Sequence, residues 1–274
     1  MNIEPFEQNQ DCLLMIKENK FLYNNSVSAG FTTRKNGNGS APYDTLNTAF
    51  HVEDDSAAVL KNRQLTANRI GFPLENWAAA RQVHGASIWK AGSADRGRGA
   101  MDLESAGADA DGIYTREKNV LLTSVYADCV PLLFHAAGHQ CAGLAHAGWK
   151  GTAMNIAGAF VQTWKNIEQI DPEDIQVVIG PAISKPAYEV DSRVIEAMKQ
   201  VLPSKSSPPW DEKDNGKFQL DMKEMNRLLL IDAGVPLQQI YVSRHCTYKE
   251  SRLFFSHRRD GARTGRMMSW IALV

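Results

Sequence analysis

Cysteine is scarce in this chain: 274 residues carry four, Cys12, Cys129, Cys141 and Cys246, with no CxxC pair. Such spacing excludes a disulfide framework for a protein of this size. Long hydrophobic runs are missing too. The most apolar stretch, Val120 to Val125, is far too short to span a bilayer, and the polar, acidic start from Met1 to Asp11 has no export-signal core. These features predict a cytoplasmic protein with no membrane partner. Neither charge is in excess: 30 basic and 31 acidic side chains leave a net −1, so no global field recruits nucleic acid. Any anion site must be local. No period of roughly 20 to 50 residues repeats, which removes solenoids and propellers. What is present suffices for a core, with 43% hydrophobic and 22% charged residues. The one linker-like stretch, Pro203 to Gly216, leaves too little chain behind it for a second unit, so residues 1–274 are expected to form a single domain.

Periodicity outlines the elements. Cys12 to Ile16 and Val27 to Thr33 read as strands around a turn at Glu18-Asn19. Asp55 to Ile70 reads as a helix with Ala58, Leu65 and Ile70 on its apolar side and Gly71 as its stop. The Gly-, Ser- and Asp-rich stretch from Gly92 to Gly107 reads as a mobile flap. Val120 to Ala127, Pro131 to Ala136 and Cys141 to Ala147 read as three strands. A helix follows Gly148 to Gly151, with Met154, Ala157, Val161 and Trp164 on one face. Ile175 to Ile179 and Ile240 to Val242 are further strands. Asp191 to Val201 and Leu220 to Asp232 are helices, the first opened by an aspartate cap. Strands and helices alternate without a βαβ rhythm, which predicts mixed sheets covered by helices, an α+β fold.

Three residues sit in settings suited to chemistry. His84 precedes Gly85, Cys129 follows Asp128 at a strand end, and His146 ends a strand before Gly148-Trp149-Lys150-Gly151. Glycine beside histidine exposes the imidazole, and strand ends are where pockets open. One thiolate and two imidazoles suit zinc, with a fourth position left for water or substrate. Two other readings use the same atoms. Cys129 alone is equally a small buried hydrophobe. As a nucleophile, with His146 or His84 as base and Asp128 as orienter, it would make a cysteine hydrolase, an amidase or peptidase.

Anion candidates cluster elsewhere. Residues 251–266 hold five arginines, Arg252, Arg258, Arg259, Arg263 and Arg266, and no lysine, a composition suited to bidentate recognition of phosphate or carboxylate. A solvated basic stretch, or a tail that docks an acidic partner, is the alternative. The Gly148–Gly151 turn opens a helix whose amide end favours a negative ligand. Arg34 enters the loop at 36–39. Asp109 and Asp111 are an acid/base or outer-sphere pair, or simple turn chemistry.

Several segments together resemble one family: Gly30-Phe31-Thr32-Thr33-Arg34, Tyr43-Asp44-Thr45-Leu46-Asn47, Gln82-Val83-His84-Gly85, Ala127-Asp128-Cys129-Val130-Pro131, His146-Ala147-Gly148-Trp149-Lys150-Gly151, Gly180-Pro181-Ala182-Ile183, and Phe254-Phe255-Ser256 through Gly265-Arg266. They are similar to the laccase-domain (YfiH-like) purine nucleoside phosphorylases, once described as multicopper polyphenol oxidases. The resemblance implies a single domain of layered mixed β-sheets sandwiched by α-helices (α/β/β/α), with His84, Cys129 and His146 as both zinc ligands and catalytic centre. It implies phosphorolysis of adenosine, inosine and S-methyl-5′-thioadenosine, with adenosine deamination at the same site. Purine nucleosides and phosphate are then the partners, and Arg34, Asn47, Gln82 and Arg259 the expected substrate and phosphate contacts. Lys150 stands where arginine is frequent in the family and His257 where tyrosine is frequent, which bears on substrate preference. A multicopper oxidase needs a blue centre plus a multinuclear cluster, and seven histidines do not supply the imidazoles. Copper in the zinc position, giving weak oxidase activity, is the remaining form of that alternative.

Overall fold

The computed structural model describes residues 4–9, 13–17 and 26–274. Cys12 and the expected turn at Glu18-Asn19 lie outside the described residues. In chain order the strands are β1 Phe6–Asn9, β2 Leu13–Ile16, β3 Val27–Thr32, β4 Trp77–Ala79, β5 Ile88–Lys90, β6 Gly112–Thr115, β7 Leu121–Tyr126 and β8 Val130–Ala136. There follow β9 Cys141–Ala147, β10 Gln176–Ile179, β11 Glu189–Val190, β12 Trp210–Glu212, β13 Phe218–Leu220, β14 Ile240–Val242 and β15 Met267–Leu273. The helices are α1 Ser56–Ile70, α2 Trp149–Ala153, α3 Ile156–Ile167, α4 Ser192–Lys199, α5 Met222–Asp232 and α6 His257–Asp260. Among the described residues no helix is long and apolar enough to cross a membrane.

Two six-stranded mixed sheets form the centre, ordered β1-β2-β3-β15-β7-β4 and β14-β10-β8-β9-β6-β5, beside a small sheet β11-β13-β12. The period of two along each strand explains the layering. On β8, Leu132 and Phe134 point to a core shared with helices α3, α4 and α5, while Leu133 points to a second core between the sheets. On β15, Ile271 and Leu273 enter that inter-sheet core, whereas Met268, Trp270 and Ala272 face a third core under α1. Three apolar layers therefore separate four layers of structure, the α/β/β/α sandwich. Phe134 and Phe160 stack at 4.1 Å between ring centroids; each aromatic buried here contributes about 1.5–3 kcal/mol of transfer free energy.

Three expectations are corrected. The expected apolar side of α1 is only part of its buried face: Leu65 and Ile70 are half-buried against the third core, but the fully buried residues are Val59, Asn62, Arg63, Thr66 and Ala67. Its polar members hold loops: Asn62 Nδ2 donates to Thr45 O and Asn47 O, and Arg63 donates to Thr48, Gly99 and Ala100 carbonyls. The Gly92–Gly107 stretch is accordingly pinned rather than a free flap, since Ala79 also bonds both Arg98 O and Gly107 N. The helix after Gly151 breaks at Asn155, which takes φ 55 and caps α3 by accepting from Gly158 N, so Met154 is half exposed instead of core. Strand β15 went unanticipated behind the arginine-rich segment, although its residues are buried throughout.

Candidate metal centre

The two sheets bring three chain-distant residues together at the ends of their strands. Cys129 lies in the short link between β7 and β8, and the β8–β9 register pairs Pro131 with His146. His84 comes from the loop between β4 and β5. The ligand atoms of His84, Cys129 and His146 all lie within 4.8 Å of one another. They grade from exposed through half-buried to buried, so the group opens to solvent on the His84 side. The two imidazoles stand edge to face, 4.9 Å apart. Gly148 closes the base. A methyl there would meet Cys129 Sγ at 3.1 Å, His84 Cδ2 at 3.2 Å and His146 Cε1 at 3.5 Å, so only hydrogen leaves the cradle clear. One soft sulfur and two imidazoles around such a cradle fit a metal ion.

A single carboxylate organises both histidine arms. Asp111, whose side chain is fully buried, bonds His146 Nδ1 at 2.8 Å. It also accepts from the backbone N–H groups of Val83, His84 and Gly85 at 3.1, 3.1 and 2.6 Å. A carboxylate accepting at Nδ1 makes that nitrogen the donor and leaves Nε2 free to act as a ligand. The three amides hold His84 at φ 59, a conformation a non-glycine residue keeps only when its surroundings demand it. Burial raises the Asp111 pKa, but the His146 ring and these amides outweigh it and set the carboxyl below its ordinary range. Asp109 turns away to pair with Arg81 at the surface, 3.6 Å.

Asp128 serves the other arm. It has φ 85, and it accepts from Thr247 Oγ1 (2.6 Å), Ser256 Oγ (2.9 Å) and Arg258 N (2.7 Å). It thereby ties the Cys129 link to the arginine-rich segment and makes no contact as orienter of a histidine; Asp111 holds that position. Burial pushes the Cys129 thiol up, yet the charge and hydrogen bond of His146, with His84 behind, bring it down to about 6. Burial pushes His146 down, but the Cys129 thiolate and Asp111 raise it to about 9. Cys129 is thus poised as a thiolate ligand, whereas His146 must release its Nε2 proton before that nitrogen can bind a cation.

The remaining expected contacts have internal partners. Arg34 binds Asp44 through its backbone oxygen at 2.9 Å and its carboxylate at 3.3 Å, and lies over the Phe255 ring. Asn47 joins Asp54 and Ala49, and its Oδ1 accepts from Arg266 N. Gln82 makes a two-way bond to the Val125 backbone, continuing the edge of β7. Arg259 donates all five N–H bonds, to Asp260 and to the carbonyls of Thr247, Tyr248 and Phe254. Helix α2, which was to offer an anion its amide end, spans five residues, too few for an appreciable dipole. A cavity of about 30 Å³ behind Gln82, lined by His51, Arg63 and Ser124 among others, admits water but no purine. His51 has no local sequence pattern to mark it.

A layered α/β/β/α domain with a His-Cys-His group at the ends of its central strands defines the class. The profile of a family described as Multi-copper polyphenol oxidoreductase laccase matches residues 28–274, and the chain belongs to that family. It is 49% identical to the purine nucleoside phosphorylase YlmD of Geobacillus stearothermophilus over 243 residues, 89% of each chain. It is 43% identical to the protein of that name from Bacillus subtilis, over 98% of this chain and 97% of that one. Among solved structures, YlmD from G. stearothermophilus superposes with a TM-score of 0.96 at 46% identity, covering 99% of both chains. The hypothetical protein YfiH of Bacillus licheniformis gives 0.95 at 40% identity, covering 99% of this chain and 100% of that one.

Proposed function

We propose that this chain is a zinc-dependent purine nucleoside phosphorylase that takes adenosine, inosine and S-methyl-5′-thioadenosine, and that it deaminates adenosine at the same site. The observation that carries the reading is the convergence of His84, Cys129 and His146 over Gly148, in a chain whose close relatives bear the phosphorylase name. In phosphorolysis a phosphate oxygen bonds the anomeric carbon as the bond from that carbon to the purine nitrogen breaks, and the purine leaves with the electron pair. When bound, zinc supplies a Lewis acid with one position open to water or a substrate atom. Cys129 and the two imidazoles would hold it, Asp111 orients the His146 ring so that Nε2 faces inward, and His84 borders the solvent-facing side where a nucleoside would approach. Arg34, Asn47, Gln82 and Arg259 are the proposed substrate and phosphate contacts, and each is engaged by internal bonds. The oxidase description suits a multinuclear copper site poorly, since among the described residues this is the single group of three metal-ligating side chains.

The direct test incubates purified protein with inosine and phosphate. Hypoxanthine and ribose 1-phosphate are expected, and Cys129→Ala should abolish their formation; full turnover by that variant would refute the assignment. A second reading has one specific observation in its favour: Cys129, His146 and Asp111 form a thiolate, imidazolium and carboxylate series, the order used by cysteine hydrolases. Metal analysis separates the two. About one equivalent of zinc, lost on mutating His84, supports the phosphorylase, whereas a metal-free protein that an alkylating active-site probe labels at Cys129 and inactivates supports the hydrolase.

A further inference from the structure

We infer that Arg266 is the residue that engages the attacking phosphate, an inference that rests on the phosphorylase reading above. Among the five arginines of residues 251–266, it alone combines partial burial with an unengaged edge near Cys129. Arg252 and Arg263 are exposed. Arg258 is exposed, bonded to Glu189 O and laid over Tyr188. Arg259 has no N–H left to offer.

Arg266 is held at three points. Its N–H donates to Asn47 Oδ1 at 2.9 Å, its carbonyl accepts from Thr48 N and Oγ1 at 3.2 and 3.1 Å, and its Nη1 donates to Thr264 O and Gly265 O at 2.5 and 3.1 Å. The β15–β7 register pairs Met267 with Tyr126, which sets Arg266 across from Ala127, two residues before Cys129. Nε and Nη2, the edge of the guanidinium that presents two parallel N–H groups, make no hydrogen bond among the described residues. A fork so fixed matches two oxygens of a tetrahedral oxyanion and loses little freedom on binding one. Burial lowers the Arg266 pKa while Cys129 and Asp128 raise it, which agrees with a partly desolvated cation beside the centre. Desolvation, and then the charge of Arg266 itself, lower the His51 pKa to about 4.

The experiment uses the full, zinc-loaded chain with inorganic phosphate and inosine. For Arg266→Gln the phosphate KM should rise at least about tenfold, as expected for losing a bidentate charged contact, with the inosine KM and zinc content within about twofold of the parent. Arg266→Lys keeps the charge but not the fork and should fall between. Where Arg266→Gln fails to fold, Arg266→Lys decides by the same readout. Both KM values rising together with loss of zinc, or a phosphate KM that does not move, overturns the inference while leaving phosphorolysis intact. If the parent releases no hypoxanthine, phosphate binding followed by 31P NMR decides separately. Phosphate broadening that the parent shows and Arg266→Gln lacks keeps Arg266 as an anion site and rejects the reaction. No broadening in the parent rejects both.

Discussion

Two buried carboxylates, Asp111 and Glu168, gather donors in the same way and have different consequences. Glu168 caps the end of α3 with a side chain only 4% exposed, and binds Lys90 Nζ at 2.8 Å, Tyr114 Oη at 2.8 Å and Arg116 Nη1 at 3.2 Å. The Lys90 and Arg116 side chains are themselves about half exposed, and the knot ends in water. Asp111 likewise satisfies four donors, but one is an imidazole with a second nitrogen. That second nitrogen passes the order of the carboxylate on to Cys129 and His84. Burial with several partners therefore marks a good joint; a partner with another face to present marks a site.

The contrast breaks most sharply at the ligands. His146→Ala and Cys129→Ala each leave two donors, and metal bound per chain after dialysis should fall from about one to near zero, a loss beyond the ~10–100-fold that an outer partner controls. Retention of stoichiometric metal by either variant would show that the three side chains do not share an ion. Asp111→Asn tests the next level. Metal affinity, measured by competition with a chromophoric chelator, should weaken about 10–100-fold, because an amide at that position can present N–H to Nδ1 and turn the tautomer. If Asp111→Asn weakened metal binding no more than Glu168→Gln, the distinction between the two carboxylates would collapse.

How far the sequence foretold this arrangement depends on the range of the interactions. Cys129 and His146 were visible because each ends a strand whose apolar pattern is local, and His84 because Gly85 follows it. Helix α4 is visible for the same reason, since Asp191 accepts from the amide three residues on; Asp221 caps α5 in the same way, though the sequence reading starts that helix at Leu220. The resemblance of scattered segments supplied the four-layer order that no window of residues carries. For Asp111 the sequence offers only a pairing with Asp109, as an acid/base or outer-sphere pair or as turn chemistry, and does not single it out, since its four donors come from 26 to 35 residues away. Arg259 and Arg266 are equivalent in composition. What tells them apart is that Asp260 and three carbonyls surround one guanidinium and leave an edge of the other open. The polar face of α1 misled because its buried Asn62 and Arg63 answer loop carbonyls 15 to 37 residues away.

The Glu168 side of the comparison predicts a loss of stability without loss of metal. Glu168→Gln keeps the shape but weakens three charged or polar bonds. Two of its partners reach solvent and are screened, so the cost is set mainly by the buried end, about 1–3 kcal/mol. In thermal melting that is a fall of several degrees for a domain of this size, with metal affinity as in the parent. A Glu168→Gln protein that melts normally but binds metal poorly would mean that the two knots communicate through β6, the strand that follows Asp111 and carries Tyr114.

The smallest effect is a pH dependence of that same difference. Burial raises the Glu168 carboxyl, but Lys90, Tyr114 and Arg116 outweigh it and hold it below its ordinary value of 4.5. The native state then binds fewer protons than the unfolded chain in the interval between the two pKa values, so acidification favours unfolding there. The contribution is complete above about pH 4.5 and disappears as pH falls through the depressed native value. Other depressed carboxylates, Asp111 among them, lose stability in the same direction, but they are common to parent and variant and cancel in the comparison. The gap in melting temperature between parent and Glu168→Gln should therefore be constant from about pH 7 down to about pH 5 and narrow below that. A gap that persists unchanged in acid would place the cost of the substitution in packing around Tyr114 instead of in the charge of the carboxylate.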